Sequence, residues 1–347
     1  MSISTNHHSP ARRSPLRRTA PLLAAFALFA GCGDDDDNNA TPDAGVDAPP
    51  AATSIAATAQ ATPTLATLVA AVQFASDNND LTSLLSSAGT LTVFAPTNAA
   101  FDALAVELTG SASAKGADLL TAANKPLLRQ VLKYHVLTTK VTASAIPFGR
   151  TITTAEGSVF KIDSGTPPVI VDGRNRRANI TATDIQASNG VVHVIDKVLL
   201  PANKNIVETA QALAAGTPGE FKTLVDAVVA ADLATTLSGT GPFTVFAPTD
   251  AAFAALLTEL GLTKQQLLAN KPLLTKVLTY HVLPARVLKA EVPIGAQITT
   301  VEGEKFTVDA TLKITDARGR KAGITATDTF ATNGVIHVID KVLLPAP

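Results

Sequence analysis

The segment NGVVHVIDKVLLPA at residues 189–202 returns as NGVIHVIDKVLLPA at 333–346, with Val192 against Ile336 as the one difference. Earlier segments repeat in the same order. LTVFAPTNAAF (91–101) matches FTVFAPTDAAF (243–253), ANKPLLRQVLKYHVL (123–137) matches ANKPLLTKVLTYHVL (269–283), and ITTAEGSVF (152–160) matches ITTVEGEKF (298–306). A period of about 145 residues is far too long for a solenoid unit, so each copy has to be a domain with its own core. The offset between copies is 152 residues at Phe94/Phe246, 146 at Tyr134/Tyr280 and 144 at Gly190/Gly334. The losses fall near GSASAKGAD and SGTPP, segments whose Gly, Ser and Pro content marks loops.

Within each copy the pattern is helical first and strand-rich later. TLATLVAAVQFA and EFKTLVDAVVAADL carry apolar residues at helical spacing. TVFAP reads as a short apolar strand stopped by Pro96 or Pro248, with Thr97 or Thr249 as the N-cap of the next helix. Asn124 and Asn270 are the expected caps of the helices opened by KPLL. ITATDIQASNGVVHVID reads as a hairpin that turns at Asn189-Gly190 with positive φ.

The first 31 residues read as an address. Arg12, Arg13, Arg17 and Arg18 precede an apolar stretch, Ala20–Ala30, that is too short to span a bilayer as a helix. It ends in LFAGC, which resembles a bacterial lipobox, although Phe29 stands where Leu or Val is more usual; the resemblance implies lipidation at Cys32, the chain's only cysteine. A structural disulfide within the chain is thereby excluded. Residues 32–53 are acidic, rich in Ala and Pro and almost without large apolar side chains, the composition of a flexible tether. Domains at 54–202 and 203–347 follow. Without the first 31 residues, 24 basic and 29 acidic groups remain, a net charge near −5 that is no nucleic-acid footprint.

TVFAPTxxAF, a Tyr-His pair at the end of a helix, and the closing NGVxHVIDxVLLP, in that order and twice, resemble the fasciclin (FAS1) family over nearly all of residues 54–347. The resemblance implies an α+β fold, two tandem domains that are each a wedge-like β-sandwich flanked by helices, and a role in adhesion at the cell surface. Animal members engage integrins near the Tyr-His pair, here Tyr134-His135 and Tyr280-His281. A bacterial envelope offers no integrin, so that activity is not carried over.

The residues themselves give little chemistry. Outside the signal segment only four histidines remain, His135, His193, His281 and His337, at two equivalent positions per copy. His193 and Asp196 lie three apart on a strand and so on opposite faces, which leaves no adjacent His-Asp couple. No HExxH, EF-hand, GxSxG or phosphate-loop pattern occurs, so neither catalysis nor a cofactor or metal is expected. The buried reading of Tyr134, His135, Tyr280 and His281 is an aromatic pair with hydrogen-bonded tips; the functional reading is partner contact. DGRNRRAN and DARGRKAG bring together Arg174, Arg176 and Arg177, and Arg318, Arg320 and Lys321. They are either solvated hairpin tips or a site for an anionic polysaccharide or lipopolysaccharide. The expectation is an exported, lipid-anchored protein of the outer membrane or cell surface, non-catalytic, touching the membrane only through Cys32. The alternatives are a structural envelope protein and a small-ligand or polysaccharide-binding module without adhesive role.

Overall fold

The computed structural model describes residues 53–217 and 219–347. The signal segment, Cys32 and all of the tether but Thr53 lie outside the described residues.

The first domain opens with helices α1 (Ile55–Gln60), α2 (Ala66–Ala75) and α3 (Asp80–Ser86), strand β1 (Leu91–Pro96), and helices α4 (Asn98–Thr109) and α5 (Lys125–Tyr134). Strands β2 (Val136–Leu137), β3 (Ile152–Thr153), β4 (Val159–Asp163), β5 (Val169–Val171), β6 (Arg177–Ala187) and β7 (Gly190–Ile195) complete it. The second domain repeats the plan. Its helical half holds α6 (Ile206–Ala214), α7 (Lys222–Ala230), α8 (Ala234–Ser238), β8 (Phe243–Pro248), α9 (Asp250–Leu260), α10 (Lys264–Ala269) and α11 (Lys271–Tyr280). Its strands are β9 (Val282–Leu283), β10 (Gln297–Thr299), β11 (Lys305–Val308), β12 (Lys313–Thr315), β13 (Lys321–Ala331) and β14 (Gly334–Ile339).

Each domain has one seven-stranded sheet, in the order β2-β1-β7-β6-β5-β4-β3 in the first. β1 and β7 pair in parallel and the other neighbours antiparallel. TVFAP is buried at every residue because β1 lies inside the sheet with both faces covered. The long β6 slips register between Ile180 and Ile185, and Asp184 there adopts φ 59°. Such a bulge bends a strand, and the bend lets one sheet serve two cores. Leu68, Phe101, Leu132 and Val192 pack under the helices. Phe94, Tyr134, Phe160 and Ile170 fill the second core, where Phe94 and Phe160 meet edge to face at 5.4 Å.

Thr97 and Thr249 cap their helices as expected, accepting from Ala100 N and Ala252 N. Asn270 caps α11, but Asn124 does not cap α5; its amide donates to Leu119 O instead. The expected hairpin joins β6 and β7, yet its Asn has another task. Asn189 lacks positive φ; its side chain accepts from Ile55 N and donates to Leu85 O and Ser87 O, which ties α1 and α3 to the sheet. Gly190 is required by close approach: a Cβ there would stand 2.0 Å from Leu91 O.

The domains join through different faces. Val159 and Val171 of the first pack with Leu288, Phe330 and Val335 of the second in one buried cluster. Around it Asn175 accepts from Phe330 N, and Glu291 accepts from Thr151 N and Oγ1. Lys161 reaches across to Asp328 at 2.8 Å, with side-chain exposures of 12% and 2%. Asp328 also accepts from Lys289 N. Removing one partner of such a pair strands a buried charge. Asp328→Ala is therefore expected to cost about 3 kcal/mol, read as a lower urea midpoint, with Asp163 at 3.0 Å softening the loss on Lys161. An unchanged midpoint would mean that the joint contributes nothing to folding stability.

Candidate functional site

The tyrosines and histidines of the shared motifs point inward. His135 ends α5 almost fully buried, its Nδ1 donating to Val131 O at 2.7 Å and its Nε2 accepting from Leu199 N at 2.9 Å. His281 repeats this with Val277 O and Leu343 N. The second ring nitrogen thus fastens the helix end to the chain after the closing strand, which explains why the Tyr-His helix and VLLP recur together. Burial holds both histidines down to a pKa of about 4.

His193 and His337 sit on interior strands, β7 and β14. His193 Nε2 donates to Val141 O and its Nδ1 accepts from Asp184 N, and His337 does the same with Val287 O and Asp328 N. Asp196 lies apart from His193, as the strand period requires, and pairs with Asn179. The structure does place a different aspartate near the second ring: Asp328 Oδ1 stands 3.9 Å from His337 Nδ1. That carboxylate is almost fully buried and accepts from Lys161 and Lys289 N, so it is not presented to a substrate.

Tyr134 OH donates to Val159 O and accepts from Gly173 N; Tyr280 OH does likewise with Lys305 O and Ala317 N. Burial raises Tyr280 to about 12 and Tyr134 well above its usual value, so neither supplies a phenolate near neutral pH. The Tyr-His pair of each domain has no surface to offer a partner in this conformation.

The two basic loops are built around carboxylates that the charge pattern did not reveal. Asp172, nearly fully buried, accepts from Arg174 N, Arg176 N, Arg176 Nε and Leu200 N. Asp316 accepts from Arg318 N, Arg320 N and Leu344 N. Arg176 also bridges to Glu107, and Arg320 to Glu259. Arg174 and Arg318 donate through Nε to Pro201 O and Pro345 O. Arg177, Arg318 and Lys321 are exposed, whereas Arg174, Arg176 and Arg320 are half-buried; Arg177 leans on Asp163 at 3.3 Å with 62% of its side chain exposed.

No cluster of His, Cys, Asp and Glu suited to a metal occurs among the described residues, and no described helix is long and apolar enough to cross a membrane. The cavities beside His135 and His281 hold about 50 and 30 Å³ and have almost wholly apolar walls. They are far below the size of a ligand pocket.

With this geometry in hand, similarity to known proteins is informative. The Fasciclin domain model matches residues 63–201 and 219–345. Protein sll1483 of Synechocystis is 48% identical over 128 residues, covering 36% of this chain and 67% of its own. Transforming growth factor-beta-induced protein ig-h3 of Sus scrofa is 30% identical over 258 residues, covering 74% of this chain. Human periostin is 27% identical over 271 residues, covering 77%. These matches span only 35% of ig-h3 and 29% of periostin. Among solved structures, the FAS1 domain pair of the insect cell adhesion molecule Fasciclin I aligns over 81% of this chain and 97% of its own, with a TM-score of 0.38 and 18% identity. The chain belongs to the fasciclin domain family, as two tandem domains, and that family counts adhesion and matrix proteins among its members.

Proposed function

We propose that this protein is a non-catalytic adhesion or matrix-interaction module, exported and held at the outer face of a bacterial envelope by lipid on Cys32. The observation that carries the reading is the internal use of every histidine in the described domains. All four ring systems spend both nitrogens on backbone groups, so the motif residues hold the fold and contact is left to the surface. The joined domains present two surfaces on one body, and this raises avidity where both reach their target.

The partner class we favour is an anionic polysaccharide, contacted through Arg177 and Lys321 at equivalent loops. Of the four other members, Arg176 and Arg320 pair with Glu107 and Glu259, and Arg174 and Arg318 each give Nε to a backbone carbonyl. Replacing Arg177 and Lys321 with serine should leave thermal stability unchanged and make the full chain elute at lower salt from a column of carboxylated or sulfated polysaccharide. Display of the full chain on a non-adherent bacterium should raise attachment to glass coated with the same polymer. Unaltered elution refutes the assigned residues, and absent attachment refutes adhesion to this class of polymer.

A further inference from the structure

The second domain contains a cavity of about 280 Å³ between α9, α10 and α11, walled by apolar side chains that include Phe253, Leu256, Leu260, Leu267 and Leu274. One charged residue, Arg318, completes the lining. The first domain builds this region differently. There the connection from α4 to α5 is six residues longer, and Gly116 lies so close to Phe101 that a Cβ would stand 2.6 Å from the Phe101 Cβ. Asp102 holds this connection, accepting from Gly116 N and pairing with Lys115 at 3.1 Å. In the second domain the residue matching Asp102 is Ala254, so that anchor is gone, and the shorter connection forms α10, which lines the cavity.

We propose that this cavity binds a single-chain carboxylate with an apolar tail, the tail against Phe253, Leu256 and Leu274 and the carboxylate on Arg318. The inference stands apart from the adhesion reading. Arg318 gives Nε to Pro345 O, and its other guanidinium N–H groups have no partner among the described residues. The neighbouring Asp316 carboxylate is already occupied by the N–H groups of Arg318, Arg320 and Leu344. A planar guanidinium beside an apolar pocket matches a carboxylate headgroup in charge and in fork geometry. A cavity of about 280 Å³ is in scale with a medium-chain tail.

The test is calorimetric titration of the full chain with decanoate and with decanol, both below their aggregation limits. Decanoate should bind at one site per chain, about tenfold more tightly than decanol. Shortening the acid should weaken binding by about threefold to fourfold per methylene. Arg318→Gln should abolish the preference for the acid while leaving decanol binding unchanged. Leu260→Trp, at a partly exposed lining position, should weaken both ligands, and a melting curve for each variant confirms folding. Equal affinity for acid and alcohol, two equivalent sites per chain, or full binding by folded Leu260→Trp would each overturn the proposal.

Discussion

Acidification from pH 7 to pH 4 is expected to remove roughly 6 kcal/mol of folding stability through His135 and His281 alone. Each is held at a pKa of about 4 in the folded chain, whereas an unfolded histidine titrates near 6.5. The folded pKa is depressed, so below about pH 6.5 the unfolded state binds more protons and stability falls as pH falls, levelling off below about pH 4. By pH 5.5 about half of the loss should be present. The mechanism is local. A proton on Nε2 would turn the acceptor of Leu199 N–H or Leu343 N–H into a second donor facing a donor, in a site that excludes water. His337, also lowered by burial, acts in the same direction. Since folded domains are typically stable by about 5–15 kcal/mol, the chain should approach unfolding within this window. Urea midpoints at pH 7, 5.5 and 4 read the effect, and His135→Asn should remove about half of the slope. A midpoint that stays level across the window would contradict the assigned tautomers.

Asp172→Ala is expected to cost about 4 kcal/mol, more than any substitution of the basic residues around it. The carboxylate accepts four N–H groups, one of them on the guanidinium of Arg176. Removing it orphans buried donors and leaves Arg176 with Glu107 and the Val198 carbonyl as its remaining partners. Arg177→Ser, at an exposed position of the same loop, should fall within about 0.5 kcal/mol of the parent. Melting curves of the two variants side by side decide the point. If Asp172→Ala melts with Arg177→Ser, the loop is an ornament on the surface and not a latch between β5 and the closing segment.

Much of the fold was legible because it is written in local pattern. The repeat fixed the domain count, and the Thr97 and Thr249 caps and the β6–β7 hairpin follow from residue types within a few positions. What the sequence hid depends on partners far along the chain. Asn189 looks like a turn former, but its amide reaches Ser87 and Ile55, more than a hundred residues earlier. DGRNRRAN advertises its positive charge, while the single aspartate that organises it is inconspicuous. The bulge at Asp184 and Asp328 interrupts an alternating strand by one residue, which no periodicity reports. Asn124 and Asn270 show a further limit: identical letters in matched positions differ in role because the preceding connection differs by six residues.

The way the domains join has a consequence for assembly. The contact is heterologous: β4 and β5 of one domain meet the bulged hairpin of the next, so each domain keeps one unused half of the joint. Heterologous contacts that do not close grow into open filaments when every unit carries both halves. Here the unused halves have been disarmed. Where the first domain offers Val159, Val171 and Lys161 to its neighbour, the second has Lys305, Thr315 and Thr307. Where the second offers Leu288 and Phe330, the first has Thr142 and Gln186. The two unused halves therefore lack the apolar and cationic residues that make the joint between these domains.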